Sequence, residues 1–161
     1  MSHPIHPLIV HFPIALLFTS VFFDLLGIIT EYKNLRQTGF WLLILGLIGG
    51  IVAAIFGFWV EEAVEASGVP ELAVDRHETF AVITLIVFGI LLIIRWWIRN
   101  RWSVRDRVIY LSGAMVGLLL LSITGFYGGE LVYRYGAGVT MPPSPPAGTS
   151  SGTSSPPSIN R

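Results

Sequence analysis

The chain has 161 residues, 53% of them hydrophobic and 12% charged, where an average soluble domain is roughly a quarter charged. Ten basic and ten acidic side chains cancel to a formal charge of zero, which argues against a nucleic-acid partner. Cysteine is absent, so disulfides, iron–sulfur ligation, thiolate catalysis and covalent c-type haem attachment are excluded.

After Met1 and Ser2 the chain reads His-Pro-Ile-His-Pro-Leu-Ile-Val-His-Phe-Pro, which contains His3, His6 and His11. With no basic stretch and no small-residue cleavage site, this opening does not read as a removable signal peptide. Pro4 and Pro7 disfavour helix immediately before them, and Pro7 suits a first helical position. A first membrane span is expected over 7–29, with Asp24 near its far end. A second is expected over 39–60, carrying Gly46, Gly49, Gly50 and Gly57. An acidic stretch follows with Glu61, Glu62, Glu65, Glu71 and Asp75. The third span is expected over 78–98, introduced by Asp75 as N-cap and then His77. The fourth is expected over 108–127, with Gly113, Gly117, Gly125 and Gly129 on or just past it. Each run is near the roughly 20 residues needed to cross a hydrocarbon core. Residues 140–161 are Pro/Ser/Thr/Gly-rich and cannot bury a core, so a disordered tail is expected after a membrane domain over 1–139.

Short connections imply an all-α, up-down-up-down four-helix bundle. Lys33, Arg36, Arg95, Arg99, Arg101, Arg105 and Arg107 cluster on one side, against Arg76, Arg134 and Arg161 on the other. The positive-inside rule then predicts a multi-pass protein of a bacterial inner membrane with both termini extracytoplasmic. Trp96, Trp97 and Trp102 are expected in an interfacial aromatic belt. Asp24, deep in an apolar run, is expected to be neutralised by Arg95 or Arg99.

His11 and His77 are expected at one depth, near the starts of two parallel helices, both reaching the bundle interior. Ionisable groups within spans mark functional sites, and two facing imidazoles suit haem iron. The first reading is therefore a b-type haem electron-transfer subunit with His11 and His77 as axial ligands near the extracytoplasmic face. Gly50 and Gly117 would give the porphyrin room, and Arg134 would hold a propionate. The second reading is a non-haem zinc, iron or manganese site that adds Glu61, Glu62, Glu78 or Glu130. The third is a cofactor-free structural or assembly subunit. With no hydrolase elbow, zinc-protease motif or phosphate loop, the chain reads as no enzyme on its own. Besides the bilayer, a periplasmic cytochrome or other redox carrier is the expected partner, drawn by the acidic face. Membership of a larger respiratory or photosynthetic complex and a homodimer also stay open.

The opening motif, His77 and the closing Gly-Gly-Glu-Leu-Val-Tyr-Arg-Tyr-Gly-Ala-Gly-Val resemble a bacterial membrane-protein family catalogued as domain of unknown function 2231. The resemblance covers about residues 3–139 and implies a four-helix integral membrane module. It also implies an association with Rieske-type or cytochrome modules. It marks Pro7, His11, Pro13, His77, Gly128, Gly129, Leu131, Val132, Tyr133 and Gly136 as signature positions. Many relatives carry histidine where this chain has Tyr135, and an acidic residue that Glu61 represents here. The family brings no established activity.

Overall fold

The computed structural model describes residues 5–66, 68–98 and 102–137. It forms four helices, α1 (Ile5–Ile29), α2 (Lys33–Ala66), α3 (Glu71–Ile98) and α4 (Val104–Tyr133). Packing runs α1 on α2, α2 on α3, α3 on α4 and α4 back on α1, which is an up-down four-helix bundle. All four helices are long and apolar enough to cross a membrane. Only 22% to 39% of their most apolar windows is buried within the bundle. The remaining apolar surface, including Phe22, Ile55, Ile93 and Leu119, exceeds what a water-facing helix tolerates and requires lipid. The expected tail at 140–161 lies outside the described residues.

The helices overrun the apolar runs that announce them. Hydropathy marks only the hydrocarbon-spanning part, whereas helical hydrogen bonding continues into polar flanks. α3 starts at Glu71, not after an Asp75 N-cap. Gly68, at φ +94°, makes the turn, and the Pro70 carbonyl accepts from the Ala73 amide at 2.9 Å. Asp75 therefore lies inside the helix, and His77 lies six residues into it, about 9 Å along the axis. α4 starts on a capping box: Ser103 Oγ accepts from the Asp106 amide, and Asp106 accepts from the Ser103 amide, both at 3.2 Å. α4 ends where Gly136, at φ +70°, turns the chain back, so that the Ala137 amide reaches the Leu131 carbonyl at 2.9 Å.

Small residues set the helix spacing. A Cβ on Gly46 would lie 2.8 Å from the Leu17 side chain, and one on Gly50 would lie 2.6 Å from that of Leu85. A Cβ on Gly117 would lie 3.1 Å from the Phe88 ring. Gly50 and Gly117 thus admit Leu85 and Phe88, and neither presents an open face to a porphyrin. This is the close packing that stands in for the hydrophobic effect between helices in lipid. Gly89, by contrast, has open space at its Cβ position.

Gly46→Val and Gly117→Val should therefore lower the thermal midpoint in detergent markedly, whereas Gly89→Ala should leave it near the parental value. Equal midpoints for all three, read by circular dichroism, would refute this packing.

Candidate functional site

Polar groups gather inside the bundle at both ends. At the arginine-rich end, Asp24 of α1, Arg95 of α3 and Tyr110 of α4 are buried, with exposures of 0%, 3% and 1%. Arg95 Nη2 donates to Asp24 Oδ1 at 2.8 Å, and Arg95 Nε donates to Oδ2 at 3.3 Å. Tyr110 Oη donates to Oδ2 at 2.5 Å, and Arg95 Nη2 also donates to the Arg36 carbonyl. The guanidinium stacks 4.5 Å from the Trp102 ring, which itself sits edge-on to Tyr110 at 5.6 Å. Trp102 thus turns inward over the ion pair and does not join the belt, whereas Trp96 and Trp97 are exposed as expected. Ser20 Oγ donates to the Gly39 carbonyl at 2.8 Å and locks α1 to α2 beside this cluster. Of the two partners expected for Asp24, the structure selects Arg95, while Arg99 lies outside the described residues.

At the opposite end, His77 shares an inward stripe of α3 with Thr84, Phe88, Leu91 and Arg95. All four of these are buried, and His77 is half-buried. His77 Nδ1 lies 3.1 Å from the Thr124 carbonyl. A carbonyl has no proton to give, so Nδ1 carries the hydrogen of this bond. Gly128 leaves the space for the imidazole, because a Cβ there would lie 3.0 Å from the ring. The Thr124 and Thr84 hydroxyls meet at 3.0 Å just below. Phe88, fully buried, then separates these groups from the ion cluster.

His11 is placed differently. It is exposed, on the outward stripe of α1 with Phe18, Phe22 and Leu25. The inward stripe is Pro13, Leu17, Ser20, Asp24 and Gly27. Register also separates the two histidines. A Cβ on Gly50 would contact both Pro13 and Leu85, and Asp24 pairs with Arg95. These two levels place α3 residues opposite α1 residues numbered 71 or 72 lower. His77 is then level with Ile5 or His6, and His11 lies about 8 Å deeper. The expectation of one depth and a shared interior therefore does not hold within one chain. Each histidine lies six residues into its helix, so the difference comes from the α1–α3 register that the Asp24–Arg95 pair sets.

Among the described side chains, no carboxylates close a metal site around His77. Among the described residues, no three His, Asp or Glu side chains come together in a way that could hold an ion. Glu130 pairs with Arg134 at 2.6 Å. That hydrogen bond pushes the Arg134 guanidinium up from its ordinary value. Both lie in the outer α3–α4 groove with Tyr127, on a different stripe of α4 from Thr124 and Gly128. Arg134 therefore does not face the His77 ring. Glu78 directly follows His77 and is half-buried. The side chains of His6, Glu61 and Glu62 lie outside the described residues, as does His3.

A family model described as a predicted membrane protein, DUF2231, matches residues 2–141. The chain belongs to this family. No curated protein and no solved structure matches it. For this DUF2231 protein, sequence reasoning found Asp24 and Arg95 but not Tyr110, whose place among the apolar residues of α4 gave no polar signal. It also missed Thr124, because a hydroxyl residue in a span ordinarily bonds its own helix, as Thr124 also does to the Leu120 carbonyl at 2.9 Å.

Removing one partner of a buried ion pair leaves an uncompensated charge and costs about 3–5 kcal/mol. Asp24→Asn should therefore destabilise strongly, and Tyr110→Phe should cost about 1.5–3 kcal/mol for one hydrogen bond to a charged group. The double variant Asp24→Leu/Arg95→Met should recover much of the single-variant loss. Additive losses in equilibrium unfolding would contradict a coupled cluster.

Proposed function

We propose that the protein is an electron-transfer subunit of a bacterial inner membrane that holds one haem b through His77. The observation that carries this reading is the Nδ1–H bond from His77 to the Thr124 carbonyl. Metal-binding histidines characteristically donate their second nitrogen in this way, which fixes the ring orientation for a metal at Nε2. The bare Gly128 backbone against the imidazole adds to the fit. The outward-facing His11 does not point to the same interior, so His77 would be the histidine of this chain that holds the haem. Haem supplies one-electron exchange. His77 would anchor it, Thr124 would set the imidazole orientation, and Phe88 would separate it from the ion cluster.

By the positive-inside rule the arginine-rich end is cytoplasmic and the His77 end faces outward. Exposed Glu71 and Asp75 at that end suit a basic soluble redox carrier, with an association that weakens as salt rises.

The test is the reduced-minus-oxidised visible spectrum of protein made in cells fed a haem precursor. We expect a b-type α-band that is lost in His77→Ala, weakened in Gly128→Val and retained in His11→Ala. A featureless spectrum from folded protein would overturn the haem reading. Loss of the band in His11→Ala as well as His77→Ala would restore a two-histidine site.

A further inference from the structure

The outer groove between the start of α3 and the end of α4 contains a pocket of about 260 Å³ lined by Leu72, Arg76, Tyr127, Glu130, Arg134 and Tyr135. Its walls are fixed. Tyr127 stacks on Phe80 with ring centroids 5.3 Å apart. The Gly136 turn folds Tyr135 back, and the Arg134 guanidinium sits 5.5 Å over that ring. Behind them Leu131, Val69 and Val74 form a small buried cluster.

Charge and position together specify an occupant. Two guanidiniums and one carboxylate face a single small volume. Arg134 spends one N–H on Glu130 and keeps the rest of its fork, while Arg76 enters no ion pair among the described residues. A purely anionic ligand would be opposed by Glu130. A ligand with an anionic group and a short cationic arm satisfies all three side chains. The pocket also lies where the α3 and α4 spans reach their ends, the level of lipid headgroups. Leu72, Phe126 and Tyr133, exposed by 61%, 71% and 92%, offer apolar surface beside it for acyl chains.

We propose that this pocket binds the headgroup of a phospholipid with a primary amine, phosphatidylethanolamine. The phosphodiester lies between Arg76 and Arg134, whose planar forks match phosphate oxygens. The ammonium lies against the Glu130 carboxylate and the Tyr127 ring face. Inorganic phosphate shares the arginine chemistry but brings no amine for Glu130 and no chain for Leu72.

The test is native mass spectrometry of the full chain in detergent with equal amounts of phosphatidylethanolamine, phosphatidylcholine and phosphatidylglycerol, repeated with inorganic phosphate. The expected result is at least fivefold more bound ethanolamine lipid than choline lipid, because a trimethylated amine cannot hydrogen-bond Glu130. Arg76→Gln should reduce that binding about tenfold, and Glu130→Gln should erase the ethanolamine–choline difference. Arg76 is exposed and enters no ion pair among the described residues, so its variant carries the test even where Glu130→Gln or Arg134→Gln loses helicity. Equal retention of the three lipids, unchanged binding in Arg76→Gln, or phosphate displacing the lipid would each overturn the proposal.

Discussion

The charge-assisted pair between Asp24 and Arg95 is the constraint on which the rest of this bundle depends. α1 and α3 sit on a diagonal of the bundle, and the long Arg95 side chain crosses it to reach the carboxylate. A charge at that depth is tolerated only when paired. The pair therefore fixes which turn of α1 faces which turn of α3. Tyr110 adds α4 by donating to the same carboxylate, and Arg95 reaches α2 by donating to the Arg36 carbonyl. One ion pair thus gathers all four helices at one end of the molecule.

The consequences run outward from that point along rigid helices. With Asp24 level with Arg95, the stripe of α3 that carries Arg95 also carries Leu91, Phe88, Thr84 and His77. The same register turns the His11 stripe of α1 away from the interior. The glycines complete the arrangement by letting backbones approach: Gly46 receives Leu17, Gly50 receives Leu85, Gly117 receives Phe88 and Gly128 receives His77. At the His77 end the chain uses two stripes of α4 for different chemistry. Thr124 and Gly128 face the imidazole, while Tyr127, Glu130 and Arg134 face the outer groove. The haem reading and the lipid reading therefore concern separate surfaces and stand or fall separately.

The sequence made the four spans legible because twenty-residue apolar runs have few alternatives. It also made the Asp24–Arg95 pair legible, because a lone carboxylate in such a run must find a cation. It misjudged the start of α3. Asp75 is a good N-cap residue, but Gly68 and Pro70 punctuate the chain first, and the polar first turns of α3 carry no hydropathy signal. The relative depth of His77 and His11 follows instead from the Asp24–Arg95 register. Glycine spacing on α2 and α4 read equally well as helix packing or as porphyrin clearance, and only the Leu85 and Phe88 contacts separate the two. Inward and outward faces were illegible from periodicity, since helices apolar all round carry almost no amphipathic contrast.

An inward-facing His77 whose Nδ1 carries the proton is the centre of the site, and the most direct measurement is side-chain ¹⁵N NMR of histidine-labelled protein in lipid. A His77→Gln variant assigns the signal. The structure predicts a protonated, hydrogen-bonded Nδ1 and an Nε2 that is unprotonated or bound to iron, with the Nδ1 resonance shifted in Asp24→Asn as the register loosens. A protonated Nε2 with a bare Nδ1 would contradict the Thr124 contact and the metal-ready imidazole built on it.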